Sequence, residues 1–334
     1  MTDTYITLAH GNGGRYMREL IEDVFARHLG NPLLDVNADA ARLPWDAGEL
    51  MFTTDGFTVQ PLEFPGGDIG SLAVHGTVND LAVSGGTPRY LSLNAFIEEG
   101  LPLVQLDRII ASLARAARGA GVVVTAGDTK VVRRGEGGGL YLATAGIGVR
   151  TRNVELGMQH IRTGDAILVS GPVGDHGIAV MLAREQFGLK GELTSDCASV
   201  LPLTQALLGL PGLRFMRDPT RGGLATVVHE MSRATGLQAD LQQTAIPVRD
   251  QVTAVCEMLG YDPYYLACEG RVVAVVAQDD AVAALAAWRA LPDGQDAALI
   301  GHMRTGRVQV VLHTPLGGTR ILDELEDDPL PRIC

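Results

Sequence analysis

Strand-like and helix-like stretches alternate along this chain, and that alternation restricts its fold more than any other feature. Residues 51–59, MFTTDGFTV, have the β-branched and aromatic content of a strand, which Asp55-Gly56 is expected to end or bulge. In 70–84 the apolar set Leu72, Ala73, Leu81 and Ala82, with Thr77 between, recurs near three and four residues and predicts a helix with one buried face. A strand at 88–96, a helix at 104–118 and two strands within 121–132 and 139–149, joined by a charged glycine-rich turn at 133–139, complete the first half. After the polar link RTRN come a strand at 165–170, a helix to about Phe187, a helix after DPTRGG, a strand at 271–277, an Ala-rich helix at 280–290 and a strand at 307–312. Alternation in both halves argues for α/β and α+β layers and against a helical bundle or a β-sandwich.

With 334 residues the chain suits two domains, each large enough to bury its own apolar centre. We expect domains at 1–154 and 155–322, followed by an acidic, proline-bearing tail at 323–334 that lies outside the packed body and carries Cys334. A net charge of −12 and only 5% aromatic residues disfavour a nucleic-acid partner, because a phosphate backbone is repelled and stacking platforms are scarce. No apolar run reaches the ~18 residues that span a bilayer, and no signal-like segment opens the chain, so the expectation is a cytoplasmic protein with free thiols. The cysteines, Cys197, Cys256, Cys268 and Cys334, form no CxxC pair, which argues against structural zinc.

Candidate chemistry falls in several short stretches. Asp55 in TTDGF and Asp128 in AGDTK follow apparent strands, whereas Asp80 sits beside Asn79 near a helix end. Each alone reads as a turn former or a solvated helix end; brought together they would suit Mg²⁺, which takes one or two carboxylates along with phosphate oxygens and water. Lys130 shares a strand face with Asp128 and could meet a phosphate or a transferring oxygen; an ordinary exposed strand lysine is the competing reading. It is one of only two lysines, with Lys190, among 27 basic residues, so each raises the question of why an arginine does not serve. Glycine-rich turns before helices, SGPVGDHG and RDPTRGGL, offer backbone N–H groups to an anion, and Arg221 adds a positive fork; capped turns are the commoner role. Glu269 stands just before a strand, where a carboxylate could act as a base or simply form a turn. Cys334 is the last residue, behind Pro329 and Pro331, a position suited to a thiol that is delivered rather than held.

Together HGNGG, TTDGF, TVNDLAV, AGDTKVV, GPVGDHG, DPTRGGLA, ACEGR and the terminal PRIC closely resemble the HypE family of hydrogenase maturation proteins, nearly end to end. Several of these motifs are shared with the wider superfamily of aminoimidazole ribonucleotide synthetase, selenophosphate synthetase and thiamine monophosphate kinase; PRIC is not. The resemblance implies a two-domain aminoimidazole ribonucleotide synthetase-like fold, an α/β domain that dimerises through its strands followed by an α+β domain. It further implies ATP binding that involves Asp55, Asn79, Asp80, Gly127, Asp128, Thr129, Asp218, Arg221 and Gly222, with Mg²⁺ on Asp55, Asp80 and Asp128. The implied reaction dehydrates a carbamoyl group on Cys334 to a thiocyanate, with Lys130 and Glu269 as the other catalytic residues. HypF would supply the carbamoyl group, and a HypC–HypD complex would accept the cyanide for the [NiFe]-hydrogenase iron. The competing expectations are a small-molecule kinase or selenophosphate synthetase of the same superfamily, and a docking module whose C-terminal carboxylate is captured by a partner.

Overall fold

The structure, a computed structural model, describes residues 4–11, 14–34, 43, 45, 48–150, 155–184, 192–325 and 333. Two compact units divide the chain: the first holds the described residues up to Leu81, Gly86 to Arg150, and Ile333; the second holds Ala82–Gly85 and Glu155 to Leu325.

The first unit opens with a 3₁₀ turn at Leu8–Gly11 and helix α1 (Gly14–Leu20), which runs through a π-helical stretch, Ile21–Ala26, into α2 (Arg27–Leu29). Then come β1 (Glu49–Phe57), the short pair β2 (Glu63–Phe64) and β3 (Gly67–Asp68), α3 (Ile69–Val83), β4 (Thr87–Glu98), α4 (Leu103–Gly119), β5 (Val123–Val132) and β6 (Leu140–Arg150). The main sheet has the order β1-β6-β4-β5. Only β4 and β5 run parallel, as a helical crossover through α4 requires. Helix α4 follows its sequence pattern, burying Leu106, Ile109, Ile110, Leu113 and Ala117.

Two expectations fail here. Strand β1 is not ended at Asp55-Gly56: Asp55 pairs with Thr144 and Gly56 with Ala143, so the ladder continues to Phe57. Helix α3 does not have one buried face; all but Ser71, His75 and Asp80 are buried. Close approach explains it, since a Cβ on Gly70 would collide with the Ile109 carbonyl oxygen and one on Gly76 would stand 2.7 Å from the Phe57 ring.

Strand alternation gives the sheet two different faces. Thr53, Asp55 and Phe57 share one with Leu142, Thr144, Leu93 and Ala95, the face that packs on α3. The other is open, with Leu50, Phe52 and Phe96 exposed beside Ala143, Ala145, Asp128 and Lys130.

The second unit contains β7 (Ala166–Val169), α5 (Asp175–Ala183), α6 (Leu201–Leu207), β8 (Leu213–Arg217), α7 (Gly223–Thr235), β9 (Gln238–Gln242), α8 (Asp250–Leu259), β10 (Val273–Val276), α9 (Ala281–Arg289), β11 (Ala298–Arg304), β12 (Val310–His313) and β13 (Thr319–Leu322). Its sheet order is β13-β12-β9-β11-β7-β10-β8, with only β12 and β9 parallel. The central strands β7 and β10 are buried on both faces, which is why AILV and VAVV are continuous apolar runs rather than alternating ones. On one face Ile167, Val169, Val273 and Val275 meet Leu224, Val228 and Met231 of α7; on the other Ala166, Leu168, Ala274 and Val276 meet Leu203 of α6 and Trp288 of α9.

Of the residues expected in a free tail, Asp323–Leu325 and Ile333 are described, and they are held. Tyr265 donates a hydrogen bond to the Asp323 carbonyl at 2.6 Å, Arg233 pairs with Glu324 at 2.7 Å, and the apolar side chain of Ile333 is withdrawn from water. Cys334 and Lys190 lie outside the described residues.

Candidate active site

Candidate residues form separate groups, built by different rules. In the first unit Asp55 and Asp80 both lie along α3, about one helical turn apart. The Thr53 hydroxyl donates to Asp80 Oδ2 at 2.8 Å, and two residues further along β1 the Asp55 carboxylate lies beside Gly76, one helical turn before Asp80. Beneath them the Thr77 and Thr144 hydroxyls bond each other, and Asn79 is buried. Two partly exposed carboxylates, one on β1 and one on α3, suit a hard cation that keeps much of its water shell.

Asp128 and Lys130 lie elsewhere. Asp128 Oδ1 accepts its neighbour Thr129 N–H at 2.8 Å, and Oδ2 pairs with Lys130 Nζ at 3.0 Å on the open face. Asp55 and Asp128 sit within β1 and β5 rather than after them, on the two edge strands and on opposite faces, since the row containing Asp55 runs through Thr144 and Leu93 to Gly127. Three inter-strand spacings, roughly 14 Å, separate those strands. The expected convergence of Asp55, Asp80 and Asp128 therefore does not occur within one chain, and no group of three or more His, Cys, Asp or Glu able to hold a metal is found among the described residues. Gly127 is required where it stands, because a Cβ would collide with the Leu93 carbonyl oxygen. Thr129 is buried, and its hydroxyl has no hydrogen-bond partner among the described residues.

In the second unit, topology gathers the loops. Strand β10 runs antiparallel to both β7 and β8, with Val273 opposite Val169 and Arg217, so the segment before β10 lies beside the segments after β7 and β8. Those segments are ACEGR, GPVGDHG and DPTRGG. Cys268 N–H donates to the Pro219 carbonyl at 3.0 Å, tying the first to the third, and Gly174 N–H donates to Cys268 Sγ at 3.3 Å. Gly222 and Gly223 adopt φ of 72° and 58°; a Cβ on Gly223 would meet the Leu266 carbonyl oxygen at 2.5 Å. Asp218 is buried in this turn, and Arg221 is exposed.

Glu269 is buried within this gathering. Around it run ionic contacts. Asp175, at the start of α5, takes a 2.8 Å hydrogen bond from Arg249 and has Arg271 at 3.7 Å. Burial pushes its carboxyl pKa up against those two cations. Asp196 accepts from the backbone N–H groups of Glu269 at 3.1 Å and Gly270 at 3.3 Å, with Arg271 Nε at 3.4 Å. His176 Nδ1 and Ser195 Oγ are 2.8 Å apart, and Cys197 N–H donates to the same hydroxyl at 3.0 Å. Burial also raises the pKa of the Cys268 thiol, which suits packing rather than nucleophilic chemistry.

Residues 37–150 match the AIR synthase related protein N-terminal domain, and residues 162–313 the C-terminal domain of the same family. The chain is 45% identical over 331 residues to the carbamoyl dehydratase HypE of Azotobacter vinelandii, covering 98% of this chain and 97% of that one. Its structure is similar to a crystal structure of the hydrogenase maturation protein HypE in complex with ATP, with a TM-score of 0.93, 44% identity and coverage of 98% and 99% of the two chains. It is also similar to the matching chain of a HypE–HypF complex, with a TM-score of 0.81, 42% identity and coverage of 92% and 99%.

Proposed function

This chain belongs to the HypE carbamoyl dehydratases of the AIR synthase related family, and on that premise we propose that it uses ATP to dehydrate a carbamoyl group carried on the sulfur of Cys334. The observation that carries the reading is 45% identity with a carbamoyl dehydratase along 98% of the chain. The reaction is S–C(=O)–NH₂ + ATP → S–C≡N + ADP + phosphate. An amide oxygen is a poor leaving group; as a phosphate ester it leaves readily, and loss of the two nitrogen protons completes the triple bond.

Each candidate residue has a role in that scheme. The Lys130 ammonium offsets charge on the transferred phosphoryl group, where positioning and electrostatics supply most of the rate. Glu269, a carboxylate withdrawn from water, takes a proton from the amide nitrogen. Mg²⁺ fits Asp55 of β1 and Asp80 of α3, two hard oxygen donors that leave room for phosphate oxygens and water, and it would neutralise phosphate charge there. Asn79, Gly127, Asp128, Thr129, Asp218, Arg221 and Gly222 are proposed nucleotide contacts; the Thr129 hydroxyl, without a partner among the described residues, supports one of them.

We further propose that two copies associate through the open face of β1, β6, β4 and β5. Phe52 is 67% exposed there, beside exposed Leu50 and Phe96, apolar area that water disfavours and a second copy would cover. Asp128 and Lys130 lie on the same face, so association would also border the phosphoryl-handling residues. The proposed partners are a HypF-type carbamoyltransferase as donor and a HypC–HypD complex as cyanide acceptor, all acting in the cytoplasm. No helix among the described residues is long and apolar enough to cross a membrane.

The test is direct. Incubating the carbamoylated protein with Mg-ATP should remove one water from the mass of the C-terminal peptide in step with ADP formation. An unchanged peptide mass during ATP turnover refutes the assignment.

A further inference from the structure

One carboxylate holds the backbone that presents Glu269. The Asp196 side chain, 1% exposed, accepts the N–H of Glu269 through Oδ1 and that of Gly270 through Oδ2, while Ala198 N–H donates to the Glu269 carbonyl at 3.4 Å. Both polar groups of the Glu269 backbone are therefore engaged by the 195–198 segment, leaving the carboxylate only its own side-chain torsions. The approach is so close that a Cβ on Gly270 would overlap the Asp196 carbonyl oxygen. Behind it, Arg271 is fixed by the Pro172 carbonyl at 3.1 Å and the Asp293 carbonyl at 3.2 Å, and balances the Asp196 charge.

We propose that Asp196 is a positioning residue for the dehydration: it touches neither thiocarbamate nor nucleotide, and sets where the Glu269 carboxylate stands. This rests on Glu269 being the base. A role in stability alone is the weaker account of the geometry. Buried ion pairs contribute little net stability compared with apolar packing, whereas two consecutive N–H groups gripped by one carboxylate fix a backbone position.

Single-turnover dehydration of the carbamoylated full-length protein at saturating Mg-ATP tests it, using D196N, E269Q and the double variant, with ATP affinity measured alongside. The amide introduced by D196N can accept only one of the two N–H groups, and misplacing a catalytic group by about 1 Å costs on the order of 10²-fold in rate. We expect D196N to lose rate on that scale with unchanged ATP affinity, and the double variant to be no slower than E269Q, because Asp196 acts only through Glu269. A D196N rate equal to wild type, or a double variant slower than E269Q by the full D196N factor, overturns the proposal. Wild-type activity in E269Q would instead remove Glu269 as the base, and the positioning role with it. Should D196N fail to fold, Ser195→Ala loosens the same segment without touching the buried charges, and is expected to slow turnover in the same sense; a wild-type rate there counts against the proposal.

Discussion

Replacing Lys130 by alanine separates catalysis from folding, because little of the structure depends on this side chain. Its ammonium pairs with Asp128 at 3.0 Å, but the two side chains are 59% and 52% exposed. An ion pair that wet contributes about 0.2–1 kcal/mol, which in a domain of this size moves Tm by no more than about 4 °C. Removing one well-placed electrostatic group from a transition state costs about 2.7–4 kcal/mol, or 10²–10³-fold in rate. The two magnitudes do not overlap. K130A is therefore expected to unfold almost where wild type does while its single-turnover dehydration rate falls by about 10²-fold or more. K130R keeps the charge and the pairing with Asp128, yet replaces a compact point charge with a planar fork, so it should recover only part of the lost rate. Thermal unfolding and the mass of the C-terminal peptide, measured on the same preparations, decide the matter. Wild-type dehydration by K130A would remove Lys130 from the mechanism, and a rate loss matched by a large drop in Tm would reassign it to folding.

Three further outcomes are expected. Phe52→Glu puts a charge in the middle of the open sheet face and should convert a dimer to a monomer in light scattering, with a fall in dehydration rate; a variant that stays dimeric would exclude association through that face. Iodoacetamide at pH 8 should leave Cys256 and Cys268 unmodified in the native protein and label them only in denaturant, since burial pushes the Cys256 pKa up to about 11 and that of Cys268 well up; native labelling of either would contradict their burial. Desolvation keeps the half-buried His75 neutral, with a pKa near 4 against 6.5 when exposed, so the unfolded chain takes up its proton first and stability contributed by the neutral form is lost as pH falls from 6.5 towards 4. That loss approaches about 3 kcal/mol at the acid end. Urea unfolding of wild type and His75→Leu across this range should show a shallower pH dependence in the variant, and parallel curves would refute the assignment.

The parts of this molecule legible in the sequence are those set by neighbours a few residues away. The runs at 165–170 and 271–277 and the segment 104–118 mark β7, β10 and α4 in the sequence, because burial of a strand or a helix face leaves its period in the chain. Helix α3 departs from its sequence pattern because its packing is not amphipathic: glycines at 70 and 76 let a strand residue and another helix close in, and nothing in an apolar count marks that. Asp55, Asp80 and Asp128 were each recognisable in a motif, yet their separation was not. Which face a strand residue occupies relative to another strand depends on the order β1-β6-β4-β5, a tertiary fact with no local trace. Asp196 left the least signal. It precedes Glu269 by 73 residues in a stretch with no regular secondary structure, and only the fold brings it to two backbone N–H groups. Gly270 reverses the inference. Its φ needs no left-handed geometry, and what forbids a side chain is the Asp196 carbonyl oxygen standing where a Cβ would be. The glycine and the aspartate are two halves of one contact: the missing side chain admits the 195–198 segment, and the carboxylate on that segment then fixes the residue that glycine follows.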